Sequence, residues 1–280
     1  MTKPAPTRTL NDGRDMPALG FGTYPLRGED GVAAIVSAID TGYRSLDTAF
    51  NYDNEGAVGE AIRRSGIRRD ELFVTSKLPG RYHGRAEAAE AVRESTWRLG
   101  LEQLDLYLIH WPNPSVDKYV EAWEALVEAR EDGLVRSIGV SNFTRAQLDR
   151  IIAATGVTPA VNQIELHPYF PQVEQRAVNA ELGIATEAWS PLGKRNAAYG
   201  QRAVLDAAEA HGVTPAQVIL RWHVQLGSVP IPKSGTPARQ AENLDVFGFE
   251  LSDSEVEAIT ALGQTDGRLF GGDPDTHEEP

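Results

Sequence analysis

Eight short apolar runs recur along the chain, and each is followed by a longer stretch with helical spacing. The runs are Ala18–Phe21, Ser45–Asp47, Leu72–Lys77, Leu104–Ile109, Arg136–Val140, Ala160–Ile164, Ala185–Trp189 and Ser228–Ile231. They are mostly continuous rather than alternating, which predicts strands buried on both faces of a parallel sheet. Between the fourth and fifth runs, Val116, Tyr119, Val120, Trp123, Leu126 and Val127 fall on one helical face, and Gly133 follows as a stop. Thr214-Pro215-Ala216-Gln217 and Ser252-Asp253-Ser254-Glu255 read as helix starts with capping boxes, with Pro215 at the first helical position.

Eight strand–helix units predict one α/β domain over residues 1–280, folded as a (β/α)8 TIM barrel that spans about residues 18 to 262. A doubly wound sheet is the alternative, and it would carry a glycine-rich turn after its first strand. Gly20-Phe21-Gly22-Thr23-Tyr24-Pro25 starts like one but has Pro25 where the third glycine belongs. Asp12-Gly13 marks a hairpin that caps one barrel mouth. Residues 271–280 are acidic and lack apolar anchors, so a short mobile C-terminal tail is expected.

Composition narrows the function. The chain has 40 acidic and 27 basic residues, for a net charge of −13. That disfavours a nucleic-acid surface, which needs a basic stripe. Any phosphate must therefore meet a local basic cluster. There are no cysteines, which removes disulfides, thiolate catalysis and Cys-ligated metals. The six histidines show no ligand spacing, so no metal is expected. No apolar run approaches membrane-spanning length and the first ten residues lack a signal-peptide core. The expectation is a cytoplasmic monomer that acts on a small molecule and binds neither membrane nor nucleic acid.

Four polar side chains sit at or just beyond predicted strand ends: Asp47, Tyr52, Lys77 and His110. In a barrel of this type the active site lies at those ends. Taken singly, each is more commonly packed or solvated. On consecutive units they form a set suited to carbonyl reduction. A free phenol is a weak acid at neutral pH, and a nearby ammonium lowers its pKa. Lys77 supplies that ammonium, Asp47 keeps it charged, and His110 orients the carbonyl oxygen.

These residues lie in segments that resemble the aldo-keto reductases. Gly42-Tyr43-Arg44-Ser45-Leu46-Asp47-Thr48-Ala49-Phe50-Asn51-Tyr52 carries the resemblance, with Leu108-Ile109-His110-Trp111-Pro112 and Gly139-Val140-Ser141-Asn142-Phe143. Asn162-Gln163-Ile164-Glu165-Leu166-His167-Pro168-Tyr169, Ser190-Pro191-Leu192-Gly193 and Ile231-Pro232-Lys233-Ser234-Gly235-Thr236 follow in the family's order. The resemblance implies a barrel that reduces aldehydes or ketones with NADPH, with Asp47, Tyr52, Lys77 and His110 as its tetrad. The short polar tail is similar to the small bacterial branch that includes 2,5-diketogluconate reductases.

The resemblance also implies a cofactor site. Trp189 matches the aromatic that stacks on the nicotinamide, and Ser141, Asn142 and Gln163 match the residues that bind its carboxamide. Gly22, Thr23 and Tyr24 match the first-strand loop, and Ser190, Leu192 and Gly193 the loop after strand seven. Lys233, Ser234, Gly235, Thr236 and Arg239 match the 2′-phosphate clamp, which favours NADPH over NADH. Helix starts attract phosphate, and Thr236 with Pro237 reads as such a start. The plain alternative is that Arg239 pairs with Glu242 on the helix surface. Glu242 and Asn243 match the adenine side. Tyr24, Phe50, Pro79 and Trp111 are candidates for the substrate wall. Two positions depart from the family: Gly235 replaces a small branched residue, and Leu78-Pro79-Gly80 follows Lys77 where Trp is common. Two other readings stay open: a Schiff-base enzyme using Lys77, and a non-catalytic NADPH-binding regulatory barrel.

Overall fold

The computed structural model describes residues 5–194, 197–265 and 267–280. The chain opens with a hairpin of β1 (Thr7–Thr9) and β2 (Asp15–Pro17), paired antiparallel with Arg8 opposite Met16. Gly13 turns it with φ 82°, a left-handed value that glycine adopts without strain. Leu10 and Met16 are buried in a cluster with Phe73, Leu106, Leu108, Val161, Ala185 and Val229. The hairpin thus plugs the N-terminal mouth of the barrel, as the Asp-Gly signal predicted.

Eight parallel strands follow, alternating with helices. They are β3 (Phe21–Gly22), β4 (Ser45–Asp47), β5 (Phe73–Leu78), β6 (Leu104–Ile109), β7 (Val135–Ser141), β8 (Val161–Glu165), β9 (Ala185–Trp189) and β10 (Ser228–Pro230). Each pairs with the next in chain order. The seam between β3 and β10 is closed by backbone bonds from Gly20 N to Pro230 O at 3.0 Å and from Gly22 N to Pro232 O at 3.2 Å. A Cβ on Gly22 would lie 2.9 Å from the Ile231 carbonyl, so the seam needs a glycine there. The first strand is shorter than the run Ala18–Phe21 suggests, because Ala18 still bonds Pro6 at the base of the hairpin.

The helices are α1 (Gly28–Thr41), α2 (Glu55–Ser65), α3 (Arg85–Leu99), α4 (Tyr119–Glu131), α5 (Arg145–Thr155), α6 (Val173–Glu181), α7 (Arg202–His211), α8 (Pro215–Gln225), α9 (Pro237–Leu244) and α10 (Asp253–Thr260). Both predicted capping boxes are present, at Thr214 and Ser252. In α4, Tyr119, Trp123 and Leu126 are buried, while Val116 precedes the helix and is exposed.

The tail departs from expectation. Polar contacts, with one ring contact, dock it on the C-terminal mouth. Asn113 Nδ2 donates to the Glu279 carbonyl at 2.6 Å and Asn113 Oδ1 accepts from Glu279 N–H at 3.1 Å. Ser115 N–H donates to Glu278, and His277 packs on Trp111 at 4.2 Å between ring centroids.

Met16 is fully buried at the mouth opposite the tetrad. Met16→Ala is expected to lower stability by about 2–5 kcal/mol in denaturant unfolding, with turnover held within about twofold.

Candidate active site

The strand ends deliver the tetrad as the register requires. Asp47 ends β4, and Lys77 lies one residue before the end of β5. Strand pairing sets Leu78 beside Ile109, so His110 emerges next to Lys77. Tyr52 returns toward the barrel axis on a single helical turn, Phe50–Tyr52. The four side chains converge. Lys77 Nζ donates to Asp47 Oδ1 at 2.7 Å and to the Thr48 carbonyl at 2.8 Å, and it lies 3.5 Å from the Tyr52 hydroxyl. The Tyr52 and His110 rings meet edge to face at 5.7 Å.

Lys77 is buried and does not reach the cavity surface. Burial pulls its pKa down, but its acidic neighbours, Asp47 first, outweigh burial and leave it raised. The ammonium is thus held charged. For Tyr52 the balance differs from the expectation of a lowered pKa. Burial, with Asp47 and Glu279, pushes the phenol up and outweighs the pull of Lys77. The ring is partly exposed in the cavity wall, but its surroundings are those of the interior. Tyr52 therefore keeps its proton at neutral pH, and Lys77 limits the rise rather than reversing it.

A cavity of about 1260 Å³ opens above the tetrad. That exceeds the range of roughly 300–1,000 Å³ usual for drug-sized ligands. Asp47, Tyr52 and His110 line one part of it, and Lys233, Ser234, Gly235, Thr236, Arg239, Glu242 and Asn243 another. Gly22, Thr23, Tyr24, Asn142, Gln163, Trp189, Ser190 and Leu192 also line it. Ser141 and Gly193 do not reach the wall. The Ser141 hydroxyl instead accepts from Asn142 Nδ2 at 3.0 Å and donates to the Gln163 carbonyl at 2.9 Å. Of the proposed substrate wall, Tyr24 and Trp111 are in place. Phe50 and Pro79 are not. Phe50 is buried against Tyr82 and the Arg98 guanidinium, and Pro79 is buried outside the lining.

The amide-bearing residues are oriented before any ligand arrives. Asn142 Oδ1 accepts from Trp189 Nε1 at 2.8 Å, which fixes the indole edge, and Asn142 Nδ2 donates to the His110 carbonyl at 3.0 Å. Gln163 Nε2 donates to Asp47 Oδ2 at 2.9 Å and to Glu187 Oε2 at 2.6 Å. Its side-chain oxygen, Oε1, is thereby left for an incoming donor. At the basic end, Glu242 accepts from the Thr214 hydroxyl at 2.7 Å. Lys233 and Arg239 are exposed and form no salt bridge among the described residues. The expected alternative pairing of Arg239 with Glu242 is therefore absent. A Cβ on Gly235 would meet nothing within 4 Å, so the glycine leaves that loop open.

The Aldo/keto reductase family profile matches residues 18–264. The chain belongs to the aldo-keto reductase family. It is 60% identical to 2,5-diketo-D-gluconic acid reductase B of Corynebacterium sp. (strain SHS752001), over 98% of each chain. It is 46% identical to methylglyoxal reductase DkgA of Escherichia coli (strain K12), over 95% of this chain and 96% of that one. It superposes on the crystal structure of a Gox0644 mutant in complex with NADPH with TM-score 0.93 at 44% identity, covering 98% and 99% of the two chains. The reductase is thus an oxidoreductase of a family that uses NADPH.

Several lining residues escaped sequence reasoning: Lys194, Tyr199, Thr214, Pro215, Ala216, Phe270 and His277. Only the capping box at Thr214 gave a local signal, and it read as helix structure. Glu187 was also missed, since it lies within the apolar run of β9. It is buried and bonded to Gln163, and its Oε1 has no partner among the described residues. Burial first, then repulsion from Asp47, pushes its pKa up to about 8. The reductase therefore carries a second buried carboxyl near Lys77, with its pKa raised where that of Lys77 is held up as well.

Glu187 links stability to pH. Its folded pKa, about 8, lies above the ordinary value of 4.5. Between these values the folded state holds a proton that the unfolded chain has released, so stability falls as pH rises through this window and then levels off. Glu187→Gln removes the dependence. Its stability advantage over the wild type in urea unfolding is expected to be larger near pH 8 than near pH 5, by on the order of 2 kcal/mol. An equal difference at both values would mean that the buried carboxyl is already ionised.

Proposed function

We propose that the enzyme reduces small dicarbonyl and keto-sugar compounds with NADPH, using Tyr52 as general acid. The observation that carries this reading is that one cavity is lined both by the tetrad and by the basic loop at the start of α9. NADPH fits the donors present. Trp189 offers an aromatic face, Gln163 and Asn142 offer amides, and Lys233 and Arg239 offer unpaired positive charge beside a helix start. When bound there, the cofactor supplies the hydride.

The chain's own residues do the rest. The ring of His110 orients the substrate oxygen through the nitrogen that faces the cavity. Tyr52 holds a proton at its hydroxyl and gives it to the substrate oxygen as negative charge develops there. An alkoxide is a far stronger base than a phenolate, so a phenol with a raised pKa still donates. Lys77, 3.5 Å from the phenol oxygen, stabilises the phenolate left behind. Asp47 holds Lys77 in line. The buried, charged, three-fold bonded amine has no free lone pair, which argues against the Schiff-base alternative.

The dicarbonyl substrate class is supported by the two relatives, whose names are those of a diketo acid reductase and a methylglyoxal reductase. Tyr24, Trp111 and Trp189 supply an apolar wall of the right kind for a small, flat carbonyl compound. The proposal carries forward a monomeric, cytoplasmic enzyme that touches neither nucleic acid nor membrane.

Tyr52→Phe should lose carbonyl reduction on the order of 10²-fold or more while NADPH binding persists. Steady-state kinetics with methylglyoxal and cofactor titration by tryptophan fluorescence measure both, and near-normal turnover would remove Tyr52 from its role. Arg239→Ala should weaken NADPH about tenfold and leave NADH nearly unchanged, since one charge-assisted contact to a 2′-phosphate is lost. Equal loss for both cofactors would place the Arg239 contact elsewhere on the dinucleotide.

A further inference from the structure

One carboxylate at the site has no part in the reduction described so far. Glu279 lies in the docked tail, with its side chain only 9% exposed. Its Oε1 lies 2.7 Å from His110 Nδ1 and accepts from Asn51 Nδ2 at 2.7 Å. Its Oε2 accepts from the Gly80 N–H at 3.2 Å. The two-point clamp of Asn113 on the Glu279 backbone sets where the carboxylate falls. Three separate loops, after β4, β5 and β6, therefore converge on one side chain of the tail.

We infer that Glu279 is a positioning residue that keeps a proton on His110 Nδ1 and so presents Nε2 to the substrate oxygen. This rests on the reductase reading above. An ionised carboxylate can only accept hydrogen bonds. Burial pushes the Glu279 pKa up, but the His110 ring, Asn51 and the Gly80 N–H outweigh burial and leave it below the ordinary value. A bare ring nitrogen 2.7 Å from a carboxylate oxygen would set lone pair against lone pair. A hydrogen on Nδ1 turns that repulsion into attraction. The approach is too bent for an in-line hydrogen bond, so the contact is a close, off-axis one.

The consequence for the substrate is specific. An imidazole has two nitrogens, and the bond made by one decides what the other offers. With Nδ1 committed to Glu279, Nε2 is the nitrogen left for the cavity. It donates to a carbonyl oxygen when the ring holds a second proton, and accepts from the product hydroxyl when it does not. The other titratable or charged groups around the pair are Tyr52 and Lys77 on the tetrad side, Arg81 and His83 after β5, and Glu278 on the tail. Among the described residues, Glu279 is the one acid paired with His110.

The test uses the full-length enzyme, Glu279→Gln, and a chain truncated after Glu278. Imidazole ¹⁵N NMR of the cofactor-free proteins, with His110 assigned through His110→Asn, reads the ring protonation pattern directly. The expected result is a changed His110 pattern in both variants. With methylglyoxal and NADPH, kcat should fall about tenfold while KM and NADPH affinity hold within about twofold, the mark of an interaction made in the transition state. Unchanged His110 resonances would overturn the assignment whatever the activity. So would a loss confined to thermal stability or NADPH affinity, which would make the tail a structural strap. If the wild type reduced no carbonyl compound, the reductase reading would fail, and the NMR comparison would still decide the Glu279–His110 contact.

Discussion

The site depends on a buried ion pair. Lys77 and Asp47 meet at 2.7 Å with side-chain exposures of 0% and 3%. Removing two charges from water is costly, and their attraction repays the cost only when the remaining polar atoms are also satisfied. Here they are. Lys77 also reaches the Thr48 carbonyl and Tyr52, and Asp47 Oδ2 accepts from Gln163. Truncating either partner would leave an uncompensated charge at a cost of about 3–5 kcal/mol. The pair thus ties β4, β5 and β8 together at the C-terminal mouth of the barrel.

That pair also organises the charge around it. Burial and the neighbouring Asp47 carboxylate push the Glu187 pKa up, while Asp47 holds the Lys77 ammonium charged against that same burial. On the other side, Glu279 stays ionised because it meets His110, Asn51 and a backbone N–H. Two buried carboxyls that flank the tetrad thus shift in opposite directions: burial raises both, Asp47 adds to the rise at Glu187, and hydrogen-bond donors reverse it at Glu279.

The barrel was legible because its signals are local. Seven of the eight apolar runs overlap a barrel strand almost end to end, and the eighth, Ala18–Phe21, was displaced because hairpin pairing claims its first residue. The tetrad was legible because each member stands at or just beyond a strand end. The tail was not. Its main anchor is one polar residue, Glu279, that bonds Asn113 at a sequence separation of 166, and no periodicity marks such a contact. Phe50 and Pro79 were misplaced for a related reason: neighbours in sequence to Tyr52 and Lys77 turn away from the mouth when the intervening backbone is a helical turn or an extended loop. The sense of the Tyr52 shift depended on burial, which sequence does not give.

An acidic enzyme that binds a phosphorylated cofactor faces a long-range penalty. The net charge of −13 repels the dinucleotide at a distance, although salt screens that repulsion beyond about 8–10 Å. Local charge must therefore decide binding. Most of the arginines on the described surface are paired: Arg64 with Glu29 and Glu60, Arg85 with Glu124 and Glu128, Arg145 with Asp149 and Glu181. Lys233 and Arg239 stand outside that pairing, beside the start of α9, where the unsatisfied N–H groups add positive potential. Other cations also lack a salt bridge among the described residues, Arg14, Arg130 and Arg268 among them, so what sets Lys233 and Arg239 apart is that they line the cavity beside that helix start. Placement on that wall, not the number of cations in the chain, therefore decides where positive charge meets the cavity.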